Sequence, residues 1–269
     1  MTDTVTSVID TFSDNNKDKL AYILGALYGD GHFNLNSHRI QFGSCDIEFI
    51  RCLVNYISDI FNIKLNISVI KLSKKNKNHR DYYYISSSRK LYDMISQFNY
   101  KYLKRIPDFI TNGRMSIRAA FLGGVFDAEG NVDIHIIKSR NEIQRHVRCY
   151  SNDKNFLEKI KILLLNLEIK SCINRSKGKN YCLTIWNHKG LVNFEKYVNF
   201  NIIRKKLELR KAIESYKQIQ TQWNKETYNA VINLRNCGFG ATNIQKKLLI
   251  KIPKPTIESW IYKDVKITR

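Results

Sequence analysis

Residues 21–31 read Ala21-Tyr22-Ile23-Leu24-Gly25-Ala26-Leu27-Tyr28-Gly29-Asp30-Gly31, and residues 120–130 read Ala120-Phe121-Leu122-Gly123-Gly124-Val125-Phe126-Asp127-Ala128-Glu129-Gly130. Both runs are apolar, and both place a small residue at every fourth position: Ala21, Gly25 and Gly29 in one, Ala120, Gly124 and Ala128 in the other. Residues four apart share a helix face, so each run predicts a helix with a bare stripe. Each ends in an acid and then a glycine, putting Asp30 and Glu129 at matching helix ends. Either feature alone is costly. Glycine inside a helix loses roughly 0.5–1 kcal/mol against alanine, and an acid in the last turn faces the negative end of the helix dipole. Bare stripes allow two helix backbones to approach closely. If these two meet, Asp30 and Glu129 repel, and a divalent cation relieves the conflict. One such run alone reads as a core helix with a glycine cap; the repetition of stripe, acid and glycine together points to a site.

The repeat continues outward from these runs. After the first, Phe33–Ser44 alternates polar and apolar as a strand pair does, with a turn near Asn36-Ser37, and Asp46 is placed to cap a helix carrying Ile47, Ile50, Leu53, Val54, Ile57 and Ile60 inward. Ile63–Leu72 and Tyr82–Ser88 read as strands around a basic turn, and Leu91–Phe98 as a closing helix. The second copy keeps the order. Val132–Tyr150 gives two strands, Asp153 caps a helix with Phe156, Ile160, Leu163, Leu164 and Leu167, and strands follow at Ile169–Arg175 and Tyr181–Trp186. The predicted fold is α+β: two pseudo-symmetric αββαββα repeats, their antiparallel sheets forming a saddle, with a small all-α domain after them. The expected boundaries are a flexible lead over 1–16, a first repeat over 17–112, a second repeat with a linker helix over 113–222, and a helical extension over 225–269.

The chain has 269 residues with 45 Lys and Arg against 24 Asp and Glu, a net charge of +21. Such an excess implies a polyanionic partner. No apolar run approaches the ~20 residues of a membrane span, and no signal peptide or lipidation motif is evident, so nucleic acid is favoured over a membrane and the expected location is intracellular. The six cysteines form no C-x-x-C pair and read as reduced core residues. The basic residues gather on corresponding turns and strands: Lys71, Lys74, Lys75, Lys77 and Arg80 in the first repeat, then Lys138, Arg140, Arg145, Arg148, Lys177 and Lys179 in the second. A major groove admits a two-stranded ribbon, so basic tips would hold phosphates while alternate strand residues read bases. Each lysine alone is an ordinary solvated turn residue; as a set on matching turns they mark a duplex-binding surface.

These motifs resemble those of the LAGLIDADG homing endonucleases, in the single-chain form with two motifs, over roughly residues 17–215. Carried over by position, the metal-binding acid of each motif falls on Asp30 and Glu129, with the carbonyls of Gly29 and Ala128 beside them. The sixth motif position, structural in the family, holds Asp127 in the second motif but Tyr28 in the first. The resemblance implies Mg²⁺-dependent (or Mn²⁺-dependent) hydrolysis of both strands of a long, specific double-stranded DNA site, leaving short 3′ overhangs. It also implies a supporting Gln or Lys from the strand after each motif. Those positions are Ser44–Cys45 and Ser151–Asn152, so that charge is absent or comes from elsewhere.

The extension predicts helices at Tyr228–Arg235, Thr242–Leu248 and from Pro255, an order that resembles a helix-turn-helix with Thr256, Ser259 and Lys263 facing outward. Residues 225–269 carry nine basic and three acidic side chains, which suits DNA anchoring. Two other functions stand beside the nuclease: a LAGLIDADG-derived DNA-binding regulator without cleavage, and an intron RNA maturase. A regulator has no need of both Asp30 and Glu129. An intein origin is not expected, since neither a Cys or Ser splice start nor a His-Asn end is present. The expectation is therefore a free-standing enzyme acting as a monomer.

Overall fold

A computed structural model describes residues 11–71, 80–98, 106–137, 142–176, 178, 180–220, 223 and 225–262. The chain divides into two compact units between Ile213 and Glu214.

The first unit is organised around helix α1 (Asp14–Gly29) and helix α5 (Met115–Glu129). Helix α1 begins inside the stretch expected to be a flexible lead. Ser13 caps it, accepting from the Asn16 amide (3.4 Å), and Arg114 ties its first turns to α5 through Asp14 and Asp18. Leu20 through Leu27 are all buried. A helix buried on every side needs no amphipathic stripe, which is why both motif helices are apolar around their whole circumference.

The small residues are the contact between them. A Cβ built on Gly25 would overlap the Phe121 carbonyl oxygen and lie 3.0 Å from the Val125 nitrogen; one on Gly124 would overlap the Tyr22 carbonyl oxygen and lie 2.7 Å from the Ala26 nitrogen. The backbones touch directly, and each glycine makes room for the other helix's peptide group.

Each motif helix runs straight into its own sheet. Through Asp30 the first enters β1 (Gly31–Asn34), followed by β2 (Arg39–Ser44), α2 (Ile47–Phe61), β3 (Ser68–Ile70), β4 (Tyr82–Ser86) and α3 (Arg89–Ser96). After a short α4 (Asp108–Thr111), α5 leads through Glu129 into β5 (Gly130–Ile137), β6 (Glu142–Ser151), α6 (Lys154–Leu165), β7 (Cys172–Arg175), β8 (Tyr181–Ile185) and α7 (His188–Asn193), which continues as a π-helical turn over Phe194–Val198. The sheets are antiparallel, with orders β1-β2-β4-β3 and β5-β6-β8-β7. The expected αββαββα order is borne out in both copies. Strand β3 is shorter than the predicted Ile63–Leu72, because it pairs only with Tyr82–Tyr84 at the sheet edge.

One face of each sheet is covered. Ile40, Phe42 and Ile85 are buried with Phe49, Ile50, Leu53 and Ile57 of α2; Val147, Cys149, Leu183 and Ile185 are buried with Phe156, Leu157, Ile160 and Leu164 of α6. Side chains alternate across a strand, so the opposite faces present His32, Gln41, Gly43 and Tyr84, and Asn131, Asp133, His146 and Arg148, none of them buried. Helix α8 (Ile203–Gln220) leaves the second repeat.

The second unit packs α9 (Lys225–Asn236), α10 (Ala241–Lys247) and α11 (Lys254–Tyr262) around Val231, Ile244, Ile252, Ile257 and Trp260. Gly238, at φ +87°, makes the turn between α9 and α10, a conformation that glycine adopts without a Cβ penalty. Trp223 and Tyr228 both meet the Trp260 ring edge-on, at 6.3 and 5.5 Å. This unit therefore starts before residue 225, the boundary expected from the sequence. No helix among the described residues is long and apolar enough to cross a membrane.

Candidate metal centre and nucleic-acid interface

The packing of α1 on α5 carries the two acids to one place. A Cβ on Gly29 would meet the Cβ of Ala128 and lie 2.9 Å from the Cγ of Glu129. Asp30, one residue further, is exposed, whereas Glu129 is half-buried. Although Asp30 keeps much of its surface open, the protein around its carboxyl partly desolvates it. That desolvation, with the Glu129 carboxylate and then Asp46, pushes it up to about 6 against the pull of Lys205. Burial likewise raises Glu129, and Lys205 again opposes the shift. Two partly desolvated carboxylates, one of them raised further by the other, are a pair that a cation would relieve.

Their donors are hard oxygens, joined by the main-chain carbonyls of Gly29 and Ala128, and suit Mg²⁺ or Mn²⁺ rather than a soft ion. Among the described residues no group of three or more His, Cys, Asp and Glu could hold a metal ion. Mg²⁺ is commonly held by one or two carboxylates, with waters and substrate phosphates completing its octahedron, so the donor set fits an ion shared with a nucleic-acid substrate.

Asp127, two residues before Glu129, takes no part in that cluster. Its buried carboxylate accepts from the Tyr22 hydroxyl (2.8 Å) and from the amides of Asn201 (3.0 Å) and Ile202 (3.5 Å). It staples the segment entering α8 onto the helix pair. Tyr28, at the equivalent position of the first motif, stacks on Phe156 at 4.7 Å and meets Phe121 edge-on at 5.7 Å. The departure of the first motif from an acid is an aromatic packing contact.

The turns after β2 and β6 share a device. Ser44 accepts from the Asp46 amide and Ser151 from the Asp153 amide, each at 3.1 Å. These serines shape the strand-to-helix corner and supply no charge. The aspartates then diverge. Asp153 caps α6, accepting from Phe156 N at 3.2 Å, while Asp46 makes no cap bond and instead pairs with Arg204 (3.2 Å) and Arg80 (3.9 Å). The expected cap is thus formed in one repeat only, because Arg204 of α8 reaches the first. Next to Glu129 lies a cavity of about 360 Å³ bordered by Tyr28, Tyr150, Asn152 and Asn180, wide enough for polar groups of a substrate.

Two site residues escaped the sequence reading. Tyr82 lies across Gly43, where a Cβ would strike its ring, and desolvation followed by the Asp30 and Cys45 charges raises its phenol. The signal was available: a glycine inside a strand marks a close approach. Lys205 is only 6 % exposed, and its ammonium donates to the carbonyls of Asp127 (2.6 Å) and Phe126 (3.3 Å). Nothing local in a charged helix segment distinguishes it from Lys206.

Of the basic residues expected on the nucleic-acid face, Lys71 and Arg80 are exposed and Arg148 is half-exposed, bonded to Asp133 (2.8 Å) and His146 (3.0 Å). Arg145 is a correction. It is 4 % exposed, on the same strand face as Val147 and Cys149, with its guanidinium donating to the Ile143 carbonyl (2.6 Å). Odd-numbered residues of β6 point to the core, so Arg145 cannot lie on the open face. Lys74, Lys75, Lys77, Lys138, Arg140, Lys177, Lys179 and Lys263 fall outside the described residues. Thr256 and Ser259 are half-buried on α11.

Two motif helices in backbone contact, each followed by a four-stranded sheet of the same order, define the LAGLIDADG fold, and the resemblance read from the motifs is borne out. Residues 116–199, within the second repeat, match the family model described as a LAGLIDADG-like domain.

Among relatives, all from Methanocaldococcus jannaschii (strain ATCC 43067 / DSM 2661 / JAL-1 / JCM 10045 / NBRC 100440), the uncharacterized protein MJ0398 is 26 % identical over 220 residues, covering 73 % of this chain and 72 % of its own. The DNA-directed RNA polymerase subunit Rpo1C is 26 % identical over 145 residues, and the probable translation initiation factor IF-2 is 29 % identical over 202. Those matches cover 54 % and 72 % of this chain but only 15 % and 16 % of the relatives. Among solved structures, I-DmoI in complex with DNA and Ca is similar with a TM-score of 0.48 at 21 % identity, over 69 % of this chain and 91 % of that one. Full-length DUF199/WhiA from Thermatoga maritima is similar with a TM-score of 0.50 at 16 % identity, over 96 % and 94 %.

Proposed function

We propose that this chain is a site-specific, divalent-metal-dependent endonuclease of double-stranded DNA, of the homing type. The observation that carries this reading is the convergence of Asp30 and Glu129, one from each repeat, at the end of the glycine contact. When bound, a divalent ion supplies an activated water and neutralises the charge that develops on a cleaved phosphodiester. Asp30, Glu129 and the carbonyls of Gly29 and Ala128 hold the ion, one acid for each half of the site. The open sheet faces position the duplex, with Lys71, Arg80 and Arg148 near phosphates and the polar residues between them toward base edges. A second support comes from the relatives: similar segments form a small part of an RNA polymerase subunit and of an initiation factor, two proteins with no shared chemistry. A segment recurring in unrelated hosts behaves as an inserted element, which fits an enzyme that cuts DNA to spread.

The test is cleavage of a pooled duplex library with Mg²⁺ or Mn²⁺, reading activity and target together. Cutting by the wild type supports the reading. Selective binding without cutting would assign the chain to the non-cleaving regulators, and selective capture of structured RNA would favour the maturase.

The raised acids set a pH dependence. With Asp30 near 6, metal uptake and cutting should rise about tenfold per pH unit up to pH 6 and level off above pH 7. Stability runs the other way. An acid whose folded value is raised adds stability that is fully present below its unfolded value and lost as pH rises through about 6. Metal-free protein should therefore melt lower at pH 7.5 than at pH 5, and added Mg²⁺ should restore the loss at pH 7.5. A flat profile in both assays would contradict the pairing.

The second unit is proposed as a helix-turn-helix that anchors the enzyme to DNA, with α11 carrying Thr256, Ser259 and Lys263. Deleting residues 225–269 should weaken DNA affinity and flatten its salt dependence by about one unit of slope for each phosphate that the unit neutralises. Unchanged affinity and slope, measured by titration at several salt concentrations, would leave the unit without a role on DNA.

A further inference from the structure

We propose that Tyr82 and Tyr150 are a matched pair of substrate-contacting phenols, one in each half, each donating a hydrogen bond to a non-bridging oxygen of the phosphate cut in its own half. The inference rests on the nuclease reading and goes beyond it, to the side chains that hold the reacting group.

The strand registers place them. Gly31 pairs with Phe42 and Gly130 with Cys149, so carrying each ladder back one residue sets Gly43 level with Asp30 and Tyr150 level with Glu129. Ser44 pairs with Tyr83 and Ser151 with Tyr181, which makes Gly43 the counterpart of Tyr150, and Tyr82 the counterpart of Asn180. The two repeats have exchanged the tyrosine between neighbouring strands. A glycine weakens a strand, and the apolar core does not require one here, because position 43 faces away from it. What occupies its space is the Tyr82 hydroxyl, which a Cβ on Gly43 would overlap. Tyr150 borders the same cavity as Glu129. Each half thus brings one phenol to its open sheet face beside its own acid, from different strands. Desolvation raises both phenols, helped by the Asp30 and Cys45 charges at Tyr82 and by Cys182 at Tyr150, so each keeps the proton that it donates. A hydrogen bond to a charged phosphate is stronger than one between neutral groups, and the carboxylates beside the phenols can only accept.

One phenol per half makes the expected defect strand-selective. The measurement is cutting of the wild type's own target duplex, taken from the pooled library, with each strand end-labelled and protein and Mg²⁺ saturating. Tyr82→Phe should slow one strand about thirtyfold and leave the other within about threefold, so that nicked duplex accumulates. Tyr150→Phe should do the same to the opposite strand, and the double variant should slow both. Metal-free duplex affinity should stay within about threefold of wild type throughout. Gly43→Ala is an independent variant: its methyl takes the place of the Tyr82 hydroxyl, so it should slow the same strand as Tyr82→Phe. A tyrosine whose ring merely shields Gly43 would tolerate phenylalanine, which keeps the ring. Opposite strands slowed by the two phenylalanine variants supports the proposal. Cutting of both strands at the wild-type rate overturns it, as does equal slowing of both strands by either single variant, or a different strand slowed by Gly43→Ala and Tyr82→Phe. In each of those cases the wild type still cuts and the nuclease reading stands. A wild type that cuts nothing overturns both.

Discussion

Asp30→Asn and Glu129→Gln are each expected to lower cutting by at least about a thousandfold while leaving duplex affinity within about threefold of wild type. Each change removes a negative oxygen and leaves the shape nearly intact, so the sheets that hold the duplex are untouched and only the metal loses its ligand. A second consequence follows from electrostatics. Because the Glu129 carboxylate helps to raise Asp30, Glu129→Gln relieves it, and that variant should be more stable than wild type at pH 7.5 without metal. Added Mg²⁺ should then give a smaller rise in melting temperature than in the wild type. A protein that keeps cutting or nicking with both acids replaced would rule out the assignment, and equal melting temperatures would rule out their mutual repulsion.

Gly25→Ala and Gly124→Ala are each expected to cost about 3–5 kcal/mol, enough to unfold much of the first unit. Each added methyl would strike a backbone carbonyl of the facing helix, and neither helix can withdraw without opening a core buried from Leu20 to Leu27. Gly123→Ala is the control within the same helix. A Cβ there would find its nearest neighbours, the Tyr22 ring and the Val198 carbonyl oxygen, each at 3.7 Å, ordinary contacts. Alanine also forms helix better than glycine by about 1 kcal/mol, so this change should be neutral or stabilising. Adjacent glycines with opposite outcomes in urea unfolding would show that the cost comes from helix contact and not from loss of glycine as such. Equal effects at 123 and 124 would contradict the packing.

The same geometry links stability to function. Gly29 meets Ala128 and Glu129 at the end of the contact that Gly25 and Gly124 begin. A variant that separates the helices without unfolding them should lose metal before it loses DNA, because the acids depend on the helix distance while each sheet is built within its own repeat.

Much of this was legible in the sequence because it is periodic. A small residue every fourth position, an acid at the same offset twice, and alternation along the strands are all repeated at fixed spacing. Spacing therefore predicted the two apolar motif helices, the two sheets, and the placing of Asp30 and Glu129 at matching helix ends. Even the misplaced Arg145 was readable, since its parity with Val147 and Cys149 puts it on the apolar face; it was grouped by charge instead of by register. Only the tertiary structure decided the rest. Asp46 gives up its cap to Arg204, Tyr82 reaches over Gly43 toward Asp30, and Lys205 returns 78 residues to the carbonyl of Asp127. Local periodicity records which face of an element is buried, because that depends on the element alone. Which distant charge enters that face depends on where the chain turns after Val198, and no repeating pattern encodes a contact made once.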